Sequence, residues 1–235
     1  MSHPPVPRSY RIAVACFRVV LRLCTRRSWR GTEHLPPGGF LVAANHVSHA
    51  DPFTFLHFLI DQGRYPKILA KHTLFGVPLL GRLLRSVGMI PVHRGSAEAS
   101  GALLAAESQL ALGECIAAFP EGTLTRDPQL WPMVAKTGLA RLALATRAPL
   151  IPVGQWGAER LYPPEGGLPR LLPPKPITVI AGPPVDLDDL YDRPVDGAVL
   201  REASARLMRA ITALVAQARG EEPPEHPFDP RPDPA

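Results

Sequence analysis

A histidine and an aspartate follow an apolar run near the start of the chain. The run spans residues 40–44, and the polar residues after it include His46 and Asp51, with Pro52 next. An Asp-Pro pair predicts the start of a helix, because Pro suits the first helical position and Asp suits the cap before it. The pattern therefore predicts a buried strand, a loop and a helix. The loop carries His46 and Asp51 to the end of a strand, where ligands of α/β proteins tend to bind.

His46 and Asp51 are of the residue types that acid–base chemistry needs. Histidine is readily tuned for proton transfer at neutral pH, and a neighbouring carboxylate fixes its tautomer and stabilises its cation. A spacing of five residues puts the two on different faces of a continuous helix, so they can meet only across a turn. A lone Asp at such a position is more often a plain helix cap, and a lone His is more often a surface residue. This segment by itself leaves both interpretations open.

Charged residues and a glycine follow three further predicted strands. Arg94 follows one strand and could fork onto a phosphate group, and Lys71 follows another as a candidate cation. Glu121 follows a third, where Gly122 lets the backbone approach a ligand closely. Each of these segments alone is also compatible with an ordinary turn or a surface ion pair.

Strand-like and helix-like patterns alternate between residues 40 and 219. Apolar runs predict strands at residues 40–44, 67–70, 89–92, 115–119, 150–153 and 177–181. Helical periodicity predicts helices at residues 53–60, 97–112, 134–147 and 199–219. Alternation of this kind predicts an α/β fold, and strands that are apolar throughout are typical of a sheet covered on both faces. We expect a single domain at residues 31–219, with a central mixed β-sheet flanked by helices, and a disordered Pro- and acid-rich tail at residues 220–235.

The N-terminal segment, residues 1–30, is basic and amphipathic. Its arginines fall on one face of a predicted helix: Arg11, Arg18, Arg22 and Arg26. The segment is too short and too charged to cross a bilayer, which takes about 20 mainly apolar residues, and it lacks the cleavage site of a signal peptide. Such a helix can lie in a membrane interface. It can also pack on the domain with its arginines in solvent, and both interpretations remain open.

Composition narrows the class of partner. The chain has 235 residues and a formal net charge of +5, which suits an anionic partner such as a phosphorylated substrate or an acidic lipid. Aromatic residues make up only 6% and are not interleaved with basic ones, which argues against nucleic acid. The three cysteines form no spaced framework, so we expect a reducing compartment and no zinc ribbon.

Taken together, these segments resemble the glycerolipid acyltransferases related to 1-acylglycerol-3-phosphate acyltransferase. Four motifs of that family recur in order over roughly residues 30–185. The His-x4-Asp motif is matched by Asn45, His46, Ser48 and Asp51, and the second motif by Gly88, Ile90 and Arg94. The Phe-Pro-Glu-Gly-Thr motif is matched without change by residues 119–123, and the Pro-Val strand by residues 151–153. The chain differs from the family pattern at one position, where Leu124 replaces an arginine that the family often has. Arg126 matches a further basic position of the family.

The resemblance implies transfer of an acyl group from acyl-CoA or acyl carrier protein to the hydroxyl of a lysophospholipid. The expected acceptor is 1-acylglycerol-3-phosphate, which would give phosphatidic acid. His46 would remove the hydroxyl proton and Asp51 would orient its ring. Glu121, Gly122 and Thr123 would line the acceptor site, while the acceptor phosphate would be held by basic residues: Lys71, Arg94 and Arg126. Neither a metal nor a redox cofactor is implied, and we expect a peripheral protein on the anionic cytoplasmic surface of the cell membrane.

Three alternatives remain. The acceptor could be another glycerolipid or lysolipid. A metallohydrolase could use His46, His49 and Asp51 as metal ligands, although their spacing matches no known two-histidine helix motif. A lipid-surface binding module without catalysis would require the His46/Asp51 pair to be accidental.

Overall fold

A mixed seven-stranded β-sheet forms the centre of the part of the protein that the computed structural model describes, residues 8–92 and 99–230. Its strands are β1 (Thr25–Arg30), β2 (Phe40–Ala44), β3 (Lys67–Lys71), β4 (Ile90–Val92), β5 (Cys115–Ala118), β6 (Leu150–Trp156) and β7 (Lys175–Ala181). Their order is β1-β7-β6-β2-β5-β3-β4. Neighbouring strands run parallel except for the antiparallel pair β6–β7. The predicted α/β fold with a mixed sheet is confirmed.

Helices cover both faces of this sheet. They are α1 (Arg8–Cys24), α2 (Asp51–Asp61), α3 (Leu80–Ser86), α4 (Ala99–Ala111), α5 (Gly138–Thr146) and α6 (Gly197–Arg219). Side chains of β2 alternate between the two faces, as a strand dictates. Leu41 belongs to the core under α4, α5 and α6, whereas Phe40 and Val42 belong to the core under α1 and α2. The centre of the sheet is therefore buried on both sides, which explains why its strands are apolar throughout.

Two elements differ from the predicted pattern. Strand β1 has the sequence Thr-Arg-Arg-Ser-Trp-Arg, and it escapes an apolar search because it lies at the sheet edge, pairs only with β7 among the described residues and exposes Arg26. Arg26 therefore does not continue the arginine face of the N-terminal helix, which ends at Cys24. Helix α3 has only seven residues, too few for a helical period to stand out. Strand β1 also lies on the N-terminal side of the predicted domain boundary at residue 31.

Helix α1 packs on the domain through one face. Tyr10, Val14 and Leu21 are buried, at the spacing of one helical stripe. Polar contacts fix the helix further: the Arg18 guanidinium donates to Asp61 Oδ1 at 2.6 Å, and Asp61 Oδ2 accepts from Trp29 Nε1 at 3.0 Å. Asp61 thus ties α1, α2 and β1 together. In the described part of the chain, no helix is long and apolar enough to cross a membrane.

The C-terminal segment returns to the domain beyond α6. Phe228 forms an isolated parallel bridge with Met133, and its carbonyl accepts a hydrogen bond from Val134 N at 3.0 Å. Part of the segment predicted as a tail therefore contacts the loop that follows β5.

Candidate functional site

The carboxyl ends of β2, β5 and β3 lie at one edge of the sheet. These three strands are parallel neighbours in that order, so the loops after them leave the sheet on the same side. The loop after β2 carries His46, the loop after β5 carries Glu121, and β3 ends at Lys71. Topology alone therefore gathers residues that are distant in sequence at one edge of the sheet.

His46 and Asp51 meet as the chain turns into α2. His46 Nδ1 lies 3.0 Å from Asp51 Oδ2, and the Asp51 side chain is fully buried. An ionised carboxylate can only accept hydrogen bonds, so Nδ1 carries the proton and donates it. This leaves Nε2 with a free lone pair, in a ring whose exposed fraction is 14%. The arrangement is that of a general base with an oriented, charge-stabilised imidazole.

Asp51 shapes the loop as well as the histidine. Its Oδ2 accepts hydrogen bonds from Val47 N at 2.5 Å and Ser48 N at 2.7 Å. Asp51 is the first residue of α2, whose cap is Ala50, so the side chain reaches back into the loop and makes no helix-cap bond. The plain-cap interpretation of Asp51 is therefore wrong, since the residue binds the preceding loop and the histidine.

The loop after β5 holds His46 in place. The imidazole stacks on Phe119 with ring centroids 4.2 Å apart and planes inclined by 21°. His46 N donates to Glu121 Oε1 at 3.0 Å, and His46 O accepts from Thr125 N at 2.7 Å. Both backbone polar groups of the candidate base are thus fixed by one loop. A base that is held in this way loses little further freedom when a substrate binds.

Glu121 acts as a brace between two loops. Its exposed fraction is 1%, and its other oxygen, Oε2, accepts from Met133 N at 3.1 Å. Both of its carboxyl oxygens therefore accept from backbone N–H groups, and the contact with the acceptor that the resemblance implies stays a prediction. Burial raises the pKa of Glu121 to about 8, although the hydrogen bonds from Met133 and His46 oppose that rise.

We expect Glu121 to make folding stability depend on pH. Its pKa is raised on folding, from about 4.5 to about 8, so the folded state binds the proton more tightly than the unfolded state does. Its contribution is fully present below pH 4.5 and is lost as the pH rises through 8. Urea unfolding of Glu121→Gln should therefore show a flatter decline in stability than the parent between pH 5 and pH 9. Parallel pH profiles for the two chains would contradict this.

The other predicted site residues, apart from Arg94, lie on the loop after β5 and at the end of β3. Gly122 adopts a φ of 78°, which favours glycine, and Thr123 beside it is exposed. Arg126 is exposed and follows Thr125, whose N–H binds His46 O. Lys71 is exposed at the end of β3. Arg94 lies outside the described residues, although β4 ends just before it, at Val92.

Buried polar residues support the loop: Asn45 and Ser48 belong to the His-x4-Asp motif, whereas Gln155 and Thr54 lie outside every motif named above. Asn45 and Gln155 exchange hydrogen bonds with each other's backbone across β2 and β6, at 2.8 to 3.0 Å. Gln155 also accepts from Thr54 of α2 at 2.9 Å. Ser48 Oγ donates to Tyr162 O at 2.6 Å and accepts from Ala50 N. Gln155 could have been found from the sequence, because it is an uncharged polar residue at the end of an apolar strand.

The metallohydrolase alternative also requires His49. The His49 ring packs edge-on against Tyr162, with centroids 6.0 Å apart. The described residues include no group of three or more His, Cys, Asp or Glu side chains placed to hold a metal ion. Cys115 is buried in β5, and burial raises the pKa of its thiol, which makes it a poor nucleophile.

The fold and the His46–Asp51 pair agree with a family match. The model of the acyltransferase family matches residues 26–156, which include all of β1 except Thr25, the His46 loop, the Glu121 loop and β6. The chain therefore belongs to the acyltransferase family.

Individual relatives carry more specific names. The chain is 29% identical over 157 residues to a 1-acyl-sn-glycerol-3-phosphate acyltransferase of Borreliella burgdorferi, covering 66% of this chain and 61% of that protein. It is 28% identical to the chloroplastic 1-acyl-sn-glycerol-3-phosphate acyltransferase BAT2 of Brassica napus, covering 57% of this chain and 38% of the relative. The match thus spans under two thirds of either relative. The crystal structure of the 1-acyl-sn-glycerophosphate acyltransferase PlsC of Thermotoga maritima matches with a TM-score of 0.66 at 21% identity, over 91% of this chain and 82% of that one, and shows the shared fold.

Proposed function

We propose that the protein transfers an acyl group from an acyl thioester to the hydroxyl of a lysophospholipid, with 1-acylglycerol-3-phosphate as the preferred acceptor and phosphatidic acid as the product. The observation that carries this proposal is the contact between His46 and Asp51 in a chain of the acyltransferase family. Both relatives above are 1-acyl-sn-glycerol-3-phosphate acyltransferases by name, which supports the choice of acceptor.

The proposed mechanism uses the free nitrogen of His46. Nε2 takes the proton of the acceptor hydroxyl as its oxygen attacks the thioester carbonyl carbon. The C–S bond breaks, and the thiolate that leaves takes the proton back from the imidazolium. Asp51, buried and hydrogen-bonded to Nδ1, stabilises the imidazolium between these steps. Acyl-CoA or acylated carrier protein supplies the thioester, and the acyl group passes directly to the acceptor without an acylated protein intermediate.

An apolar cavity beside the His46 loop supports a lipid substrate. Its volume is about 320 Å³, and it lies between α1, the start of α2 and the segment after β6. Phe17, His49, Phe53, Tyr162 and Leu171 line part of it. A cavity of this size with apolar walls suits a hydrocarbon chain better than a polar ligand.

An acceptor panel tests the proposal. Purified protein is incubated with labelled acyl-CoA or acylated carrier protein and a set of lysolipids, and the products are identified by mass spectrometry. We expect diacyl product with lysophosphatidate, at a rate that a strong chelator leaves unchanged. Hydrolysis of an ester that a chelator stops would favour the metallohydrolase, and binding without turnover would favour the binding module.

We further propose that Arg94 binds the acceptor phosphate. It follows β4, which runs parallel to β3 and so ends at the same edge of the sheet. A hydrogen bond to a charged group contributes about 1.5–3 kcal/mol, so Arg94→Ala should raise the KM for lysophosphatidate roughly ten- to a hundredfold. Arg94→Lys should recover only part of this, because an ammonium cannot form the planar fork.

The control for Arg94 is a monoacylglycerol, which lacks the phosphate. Its slower acylation should be nearly indifferent to Arg94→Ala. Equal loss with both acceptors would assign Arg94 a structural role and make Arg126 or Lys71 the better candidate.

The proposal places the protein at an anionic membrane surface, on the cytoplasmic side, because its acceptor resides there. Helix α1 supports this placement. The stripe of Ile12, Val19 and Leu23 points away from the buried face of α1 and is more than half exposed, and Arg11 and Arg22 are exposed beside it. The helix therefore packs on the domain with one face and offers an apolar, arginine-flanked face outward.

A further inference from the structure

We propose that residues 72–86, between β3 and β4, form a docking segment that holds the His46 edge of the sheet against an anionic bilayer. The inference deepens the proposed function and rests on it, because a lysophospholipid acceptor has to enter the site from the bilayer. It adds a second contact to the one offered by α1.

The docking segment exposes large apolar side chains at unusual density. It consists of a 3-10 turn, His72–Gly76, a short linker and helix α3. Its exposed apolar residues are Leu74 (40%), Val77 (46%), Leu79 (77%), Leu80 (38%) and Leu83 (44%). Single apolar residues are common on protein surfaces, but five within one short segment form a patch of the kind that marks an interaction site.

Leu79 is placed in solvent at a cost in backbone strain. It has φ 64° and ψ −52°, and Leu80 N donates to Pro78 O at 2.7 Å, so Leu79 is the centre of a tight three-residue turn. Only glycine adopts such a conformation readily, and the strained form is rare for a leucine. A strained backbone that projects a largely exposed leucine indicates that the side chain has a use outside the fold.

The inner sides of the docking segment and α1 share one small core. Tyr10 and Val14 of α1 pack in the same cluster as Phe75, Leu84 and Val87. Both elements therefore cover this core with their inner sides and keep apolar side chains exposed to solvent. The docking segment offers an exposed apolar surface in addition to that of α1.

The distribution of charge indicates that the partner of the docking segment is an anionic lipid surface. The first 97 residues contain 13 lysines and arginines and three acidic residues, a net charge of +10, whereas the remaining 138 residues carry a net −5. No acidic residue occurs between 62 and 97, and Lys71, Arg82 and Arg85 at the docking segment are exposed. Apolar side chains ringed by cations suit an interface of acyl chains and anionic headgroups.

Topology connects this surface to the site. The docking segment leaves the carboxyl end of β3, and the His46 and Glu121 loops leave the carboxyl ends of the parallel strands β2 and β5. A bilayer bound at the docking segment therefore lies at the edge where His46 opens to solvent.

The test is binding to vesicles of phosphatidylcholine mixed with phosphatidylglycerol, measured by co-sedimentation without substrate. Leu79→Gly relieves the strained turn, so this variant should melt at or above the temperature of the parent. Its partition coefficient should nevertheless fall about tenfold, since burying a leucine side chain contributes on that scale. Arg82→Gln should weaken binding at low salt and match the parent at high salt.

The matched control is Leu112→Ser. Leu112 is 58% exposed but directly precedes the loop into β5, at the opposite edge of the sheet, so its loss should leave vesicle binding unchanged. Equal binding by Leu79→Gly and the parent would overturn the proposal. Self-association of the parent that Leu79→Gly abolishes, with no vesicle binding by either, would also overturn it and assign the surface to a second copy of the chain.

A separate assay distinguishes failure of the docking proposal from failure of the proposed function. Acylation of a short-chain, water-soluble lysophosphatidate needs no vesicles, and Leu79→Gly should match the parent there. If the parent itself fails in that assay, the proposed function fails, while the vesicle measurements still decide the role of the docking segment.

Discussion

Replacing His46 by alanine should lower kcat for acyl transfer by a factor of about 10²–10⁴, the typical contribution of a positioned general base. The fold should survive, because the bonds from the His46 backbone to Glu121 and Thr125 do not involve the imidazole. KM should change little, since the ring acts on the hydroxyl proton in the transition state. Initial rates with lysophosphatidate and a thermal melt together check both halves of this expectation.

His34→Ala is the matched control for that experiment. His34 lies in the turn before β2, at the edge of the sheet opposite to His46, and its side chain is partly exposed. It should keep the parent rate. A folded His46→Ala variant with near-normal turnover would remove His46 from the mechanism.

Asp51→Asn should lower kcat by a similar factor, about 10²–10⁴, through the loss of charge and of tautomer control. The substitution is nearly isosteric: the amide oxygen can accept the bonds from Val47 N and Ser48 N, and the amide nitrogen replaces Oδ1, which has no partner among the described residues. The variant should therefore fold. If the amide nitrogen instead faces His46 Nδ1, the imidazole proton moves to Nε2, and the base is lost.

The double variant, His46→Ala with Asp51→Asn, shows whether Asp51 acts through His46 or independently of it. If Asp51 acts only through His46, Asp51→Asn should cost nothing further in the His46→Ala background. A kcat in the double variant that is lowered by the product of the two single-variant factors would contradict this. Asp192→Asn, at a side chain that is 89% exposed, controls for the loss of one carboxylate and should leave kcat unchanged.

Sequence patterns predicted the central elements well, for a physical reason. Strands β2, β5 and β6 lie in the middle of the sheet, so both faces need apolar residues and the runs stand out. Edge strand β1 has one buried residue, Thr25, and three exposed arginines, and no apolar run marks it. Helix α3 was missed for a different reason: its apolar residues face outward as well as inward, so they form no single stripe.

The candidate site was predictable in its residue types and less so in its contacts. The spacing of His46 and Asp51 required a turn, and the structure supplies one. The burial of Glu121 depends on Met133 and His46 reaching it from two loops, and pairings of this long range leave no local signal. The sequence therefore did not reveal that Glu121 links two loops, and its predicted contact with the acceptor stays a prediction.

The most direct test of the account follows phosphatidic acid and the protein in one reaction. Purified protein is mixed with labelled acyl thioester and 1-acylglycerol-3-phosphate, and lipid products and intact protein mass are read at early times. Direct transfer by His46 predicts labelled phosphatidic acid in the parent, about a hundredfold less or lower still in His46→Ala, and no acylated protein in either. Acylation of the protein before product forms, or equal product from both chains, would contradict direct transfer by His46.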